Sequence, residues 1–197
     1  MEGSYRQKLG YTHAGPTAGG SRLARLRPSR RDGFPYASDN EEEPGATVSK
    51  ETITRFYEAF GKRDAETMAA CYSDDVVFSD PVFPGLKGEE ARDMWRLLCG
   101  RAKDLVVTPS NITDTTAHWD AHYAFGPARR QVINRIDATF VFNSAGKITQ
   151  HTDRFDLWAW SRMAIGVPGM LLGWSPLLQN KIRQQANDGL VAYRAKK

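Results

Sequence analysis

His151 and Asp153 stand two residues apart in the run KITQHTDRFDLW. An imidazole beside a carboxylate is the pairing that proton transfer near neutral pH calls for. In a strand, side chains alternate with period two, so His151, Asp153, Phe155 and Leu157 share one face, and the roots of His151 and Asp153 lie about 7 Å apart. On such a face the carboxylate could be tuned by the imidazole or by the apolar rings of Phe155 and Trp119. The same spacing suits a buried His–Asp hydrogen bond that only fixes the sheet, and spacing alone leaves the two readings open. Asp80, ahead of Pro81, could be a base at the rim of a pocket or the first residue of an Asx-type turn. Asn134 is the polar member of an otherwise apolar strand face and could orient a substrate carbonyl or satisfy a strand end. Tyr57 could donate a hydrogen bond from the first helix, although its helical spacing also fits a core position. Trp95, Trp119, Tyr123, Phe140 and Phe155 supply the aromatic wall that small-molecule pockets generally have, with Trp158 and Trp174 read as packing or wall. Asp156 and Arg154 fall on the outer face.

These residues need elements to hold them. Ile53, Phe56, Tyr57 and Phe60 repeat at i, i+3, i+4 and i+7, which predicts an amphipathic helix from about Val48, ended by Gly61. Asp64 is placed to cap a second, short helix whose apolar side is Met68, Cys71 and Tyr72. VVFSDPVF (76–83) reads as a short strand stopped by Pro81. Gly88-Glu89-Glu90 opens a third helix with acids at the positive end of its dipole. From residue 105 the apolar pattern alternates, giving strands at 105–113, 117–125 and 132–142 and a fourth after the turn Asn143-Ser144-Ala145-Gly146, where Gly146 can take positive φ. A last helix is expected from Pro176 to Arg194, with only a loose apolar stripe. Helices followed by a run of strands predict an α+β roll with a curved antiparallel sheet.

A chain of 197 residues with 41% hydrophobic and 11% aromatic content suits one globular domain plus a tail. Residues 1–47 hold seven Lys/Arg against six Asp/Glu and show no apolar period, so a disordered extension is expected there. Its Arg-rich part, RLARLRPSRR, gives it a composition like that of an organelle transit peptide, with a functionless extension as the alternative. The net charge of +4 leaves only +3 on the remaining residues, too mild for a nucleic-acid surface. Two cysteines, Cys71 and Cys99, in helix-like patterns favour a reduced, cytoplasmic protein over a disulfide scaffold. The most apolar run, Met163 to Leu178, is interrupted by Pro and Gly and falls short of the roughly 20 residues of a membrane span, and no apolar core of a signal peptide follows the early basic residues. His118 and His122 have helical spacing in a strand setting, so no metal site is expected, and no phosphate or dinucleotide fingerprint is present.

The signatures FYEAFGKRDAETMAACYSDDVVFSDP (56–81), FNSAGKITQH (142–151) and DRFDLW (153–158), in this order, resemble the nuclear transport factor two-like superfamily, and within it the small SnoaL-like proteins. The resemblance covers residues 48–160. It implies a cone-shaped roll in which the sheet wraps the N-terminal helix around an apolar pocket, with 161–197 as a C-terminal helical extension. Asp80-Pro81 is similar to the base of the ketosteroid isomerases, but their oxyanion donors are not matched: the helix position holds Phe56, next to Tyr57, and the strand position holds Ala138. Asp153 is similar in placement to an acidic residue of limonene-epoxide hydrolases, whose Arg and Asp partners would fall on Trp119 and Ala121. Asp153 also resembles the single carboxylate of the SnoaL-like aldol cyclases. The resemblance therefore implies a cofactor-independent isomerase, cyclase or hydrolase acting on a small apolar molecule. Asp153 would be acid and base, His151 would tune it, and Asn134 and Asp80 would orient. The alternative is a non-catalytic ligand-binding or dimerisation module. A homodimer through the convex sheet face is implied as well.

Overall fold

The computed structural model describes residues 44–101 and 103–197, with side chains from Val48 onward. The expectations for the Arg-rich segment and the rest of residues 1–43 lie outside the described residues.

Helix α1 (Pro44–Gly61) buries Ile53, Phe56, Tyr57 and Phe60 along one side, as their spacing requires, and leaves Glu51, Arg55 and Glu58 in solvent. It starts ahead of the expected Val48. Asp64 caps α2 (Ala65–Ala70), accepting from the Thr67 amide at 3.1 Å and the Thr67 hydroxyl at 2.6 Å. Strand β1 (Tyr72–Ser79) begins earlier than its apolar run suggested, and takes Tyr72 away from the helix to which its spacing assigned it. A short β2 (Pro84–Lys87) folds back on β1; four residues containing Pro and Gly carry no readable alternation. Gly88, at φ +48°, donates its N–H to the Val76 carbonyl and leads into α3 (Glu89–Arg101); a Cβ there would stand 2.8 Å from the Asp74 carbonyl oxygen.

Strands β3 (Val106–Ser110), β4 (Thr116–Phe125), β5 (Arg130–Phe142) and β6 (Ile148–Arg154) follow. The six strands form one sheet in the order β2-β1-β6-β5-β4-β3. Four of its five pairings are antiparallel, as expected, but β1 and β6 run parallel. That pairing joins segments far apart in sequence, so no hairpin turn announces it. The β5–β6 turn is fixed by Asn143, whose Oδ1 accepts from the amides of Ala145 and Lys147, and by Gly146 at φ +68°. Thr52 of α1 donates to the Gly146 carbonyl at 3.1 Å, tying the turn to the first helix.

The inner face of the sheet closes on α1 and α3. Phe56, Tyr57, Phe60, Trp95, Trp119 and Phe140 fill this space, with Phe60 edge-on to both Trp95 and Trp119. A second cluster forms where α4 (Leu157–Ala164), α5 (Val167–Leu172) and α6 (Pro176–Arg194) meet the sheet: Val132, Leu157, Trp160, Ala164 and Ile182. Helices α4 and α5 touch so closely at Gly169 and Ser161 that no Cβ fits between them. Helix α6 reaches back over the domain and puts Leu190 into the main core. At its end, Arg194 and Lys197 bond the carboxylate of Asp93, which is buried on α3. No helix among the described residues is long and apolar enough to cross a membrane.

Candidate functional site

Parallel pairing of β1 and β6 sets Phe78 opposite His151 and Ser79 opposite Thr152. Continued by one residue, the register brings Asp80 beside Asp153. Period two keeps both on the inner face with Phe78 and His151, on neighbouring backbones about 5 Å apart. Asp80 and Asp153 both line a cleft of about 480 Å³ together with Ser79, Pro81, Pro84, Gly85, Thr152 and Arg154. Two of the three carboxyl and imidazole groups singled out from sequence therefore meet in one concave space.

His151 is fully buried behind them. Phe140 packs 4.3 Å from its ring, Trp95 stacks on it at 6.0 Å, and Phe56 and Phe78 meet it edge-on. Its polar atoms are both used. The Trp95 indole N–H donates to the Tyr72 oxygen at 2.8 Å, and the Tyr72 hydroxyl lies 2.7 Å from His151 Nδ1. Indole can only donate, so the Tyr72 proton is free to point at Nδ1. This assigns the imidazole proton to Nε2, which lies 3.0 Å from Asp153 Oδ1. Trp119 Nε1 donates to the same Oδ1 at 3.4 Å. A chain of hydrogen bonds thus runs Trp95–Tyr72–His151–Asp153, and it leaves Asp153 Oδ2 engaged by neither donor.

Asp80 is held by its own loop. Its Oδ1 accepts from the amides of Val82 at 2.7 Å and Phe83 at 2.5 Å. The Asx-type turn is real, and so is the place in the cleft. Burial, more than anything else, raises the Asp80 carboxyl to about 6; the two amide bonds pull it down, and the charge of Asp153 pushes it up. Tyr57, on α1, is buried and is not among the residues that line the cleft. Its hydroxyl is the only buried side-chain polar atom without a hydrogen-bond partner among the described residues. Burial first, and the nearby Asp153 charge second, push this phenol well above its ordinary value, so it remains a donor.

The remaining expected residues divide. Trp95, Trp119 and Phe140 surround the His151 chain. Asn134 is half-buried opposite Ala121, four positions along β5 from Ala138, the partner of Asp153. That is about 13 Å away, so Asn134 does not join the two carboxylates. Tyr123 accepts from the Trp160 indole at 2.7 Å and packs, like Phe155, against both the main core and the second cluster. Neither residue lines the cleft. Trp158 and Trp174 are exposed rather than packed. Tyr72, by contrast, was missed as a functional partner: its apolar neighbours give no sign that its hydroxyl meets a histidine seventy-nine residues away. Among the described residues, no group of three or more His, Cys, Asp or Glu side chains could hold a metal ion.

Comparison with known proteins agrees with this architecture. The SnoaL-like domain model matches residues 53–151, half of the chain. A limonene-epoxide-hydrolase-like epoxide hydrolase from M. tuberculosis superposes with a TM-score of 0.50 at 22% identity, covering 68% of this chain and 98% of its own. A protein assigned as a SnoaL-like polyketide cyclase from Jannaschia sp. CCS1 gives a TM-score of 0.54 at 16% identity, covering 65% and 98%. At these identities the likeness is one of fold. No curated protein sequence matches the chain.

Proposed function

The chain belongs to the SnoaL-like domain family, and within it we propose that the Asp80–Asp153 cleft performs cofactor-independent acid–base chemistry on a small, mostly apolar carbonyl compound or epoxide. The observation that carries this reading is the juxtaposition of two unlike carboxyl groups in one cleft. Asp80, raised to about 6, can present a proton, while Asp153 accepts hydrogen bonds from His151 and Trp119 on a single oxygen. Two neighbouring carboxyl groups in one cleft can divide the roles of acid and base between them. Asp153 Oδ2 would remove a proton, or activate a water, while Asp80 protonates the oxygen that gains charge. Tyr57 would add a hydrogen bond to the substrate. The size of the cleft suits a small molecule.

The test is turnover of a panel of enones, β-ketones and epoxides by the native chain and by Asp153→Asn. That substitution keeps an acceptor for His151 but removes the base. Loss of turnover with an unchanged far-ultraviolet spectrum supports the assignment, and unchanged turnover sinks it. A second reading has its own support. His151 is wholly sealed among aromatic rings, as a purely structural histidine would be, which favours a ligand-binding module without chemistry. In that case Asp153→Asn alters ligand affinity, and no panel member is converted.

A further inference from the structure

We propose that the α5–α6 corner is a surface for binding an anionic phospholipid bilayer. Six apolar residues in one short stretch face solvent: Val167, Met170, Leu171, Leu172, Trp174 and Leu177. Leu171 is 64% exposed, Trp174 62% and Leu177 86%. Scattered single exposures need no explanation, but a cluster of large exposed apolar side chains within eleven residues marks a contact surface. Trp158 lies against it, since its indole N–H donates to the Met170 carbonyl.

Charge complementarity names the occupant. From Leu157 to Asn187 the chain carries Arg162, Lys181 and Arg183 and no Asp or Glu. The Arg162 guanidinium sits over the Trp158 ring, 5.0 Å from its centroid. Lys181 is exposed one helical turn after Leu177 and shares its face of α6. Of the two acids that flank this stretch, Asp156 uses its carboxylate to cap α4 through the amides of Trp158 and Ala159, and Asp188 lies exposed farther along α6. Exposed Arg162 and Lys181 beside an apolar tip, with tryptophans among its residues, match a surface of negative headgroups over hydrocarbon, while Arg183 is held by the Pro81 carbonyl.

The polar inventory of the tip fits the same medium. Trp158 and Trp174 both direct their indole N–H at backbone carbonyls of the tip itself, those of Met170 and Leu171. Ser175 gives its hydroxyl proton to Leu172. The rings can therefore leave water without stranding a donor, a condition that hydrocarbon imposes and a wet protein interface does not. Among the described residues no helix is long and apolar enough to span, so the contact proposed for this corner is one that lies on the bilayer.

The experiment is cosedimentation of the full chain with vesicles of pure phosphatidylcholine and of an equimolar mixture with phosphatidylglycerol, at low and high salt. The expected result is binding to the mixed vesicles, weakened by salt. Leu171→Ser combined with Leu177→Ser should lower this partition by at least about ten-fold, since each exchanges an isopropyl group for a hydroxyl at the contact. Lys181→Glu, which touches no apolar packing, should lower binding to mixed vesicles only. The single Leu177→Ser variant, at the most exposed position, guards against misfolding of the double one and should show an intermediate loss. The proposal is overturned if the native chain stays in the supernatant with both vesicle types. It is equally overturned if the serine variants bind as the native chain does. Conversion of a dimer to a monomer by those variants, without any change in vesicle binding, would assign the surface to a second copy instead.

Discussion

The Tyr72 hydroxyl lies 2.7 Å from His151 Nδ1 and simultaneously accepts the Trp95 indole proton. One phenol thus decides which nitrogen of a sealed imidazole faces Asp153. Nothing else in the described residues touches Nδ1 within hydrogen-bonding distance, so the imidazole proton that faces Asp153 is set from the first residue of β1.

Tyr72→Phe should therefore strand two buried groups at once, the Trp95 N–H and His151 Nδ1. A loss of about 1–3 kcal/mol is expected, read from denaturant midpoints at unchanged slope. A nitrogen-15 spectrum of the His151 ring should show Nε2–H population falling in the variant. An unaltered ring spectrum would mean that Tyr72 does not set the tautomer.

Asp80 predicts a pH dependence with a definite sign. Its carboxyl is raised in the folded state from 3.8 to about 6, so between these values the native chain binds more protons than the unfolded one. Stability from this group is full below 3.8 and is lost as pH rises through about 6. A shift of this size corresponds to at most about 3 kcal/mol. Asp80→Asn keeps an acceptor for the Val82 and Phe83 amides and should flatten that part of the stability–pH curve, as thermal melts across the interval would reveal. If Asp80 is the acid, the same substitution should remove the alkaline limb, near pH about 6, from the rate profile.

Tyr57→Phe is expected to move stability and activity in opposite directions. The free chain loses a buried hydroxyl that has no partner, so its stability should be unchanged or rise by up to about 1 kcal/mol. A substrate oxygen that uses this hydroxyl would lose a hydrogen bond, so kcat/KM should fall by about ten-fold. A fall in both quantities would instead mean that the phenol is bonded within the core.

At the other end of the domain, Asp93 fastens α6 to α3. Burial works against its charge, but the bonds from Lys197 and Arg96 more than offset this and hold the carboxyl below its ordinary value. Asp93→Ala should destabilise the chain by about 1–3 kcal/mol and speed amide exchange selectively in α6. Because the folded value is depressed, this stabilisation is present above the ordinary aspartate range and fades as pH falls through the lowered value.

Local pattern carried most of the fold. The spacing of Ile53, Phe56, Tyr57 and Phe60 gave the face of α1, Pro176 marked the start of α6, and alternation placed His151 and Asp153 inward. The quiet failures share one cause, dependence on partners remote in sequence. Asp80 is legible as a candidate base or a turn residue, but not its nearness to Asp153, which is reached only through a parallel pairing that leaves no local trace. Tyr72 read as helix packing for the same reason. Trp158 and Trp174 read as packing or pocket wall because aromatic side chains usually serve so, whereas they are exposed at a corner whose interior is taken by Trp160, Leu157 and Ile182.

The parallel ladder between β1 and β6 also bears on when the cleft comes into being. Every other neighbouring pair of strands in the sheet is consecutive in sequence, so each closes a short loop. The β1–β6 contact encloses α3 and four strands, and must meet the entropy of that large closure before Asp80 and Asp153 approach each other. High sequence separation of this kind slows folding, and it makes the two carboxylates among the last groups to find their places. Substitutions that loosen any strand between them should therefore delay the gain of ligand binding during refolding more than the gain of secondary structure.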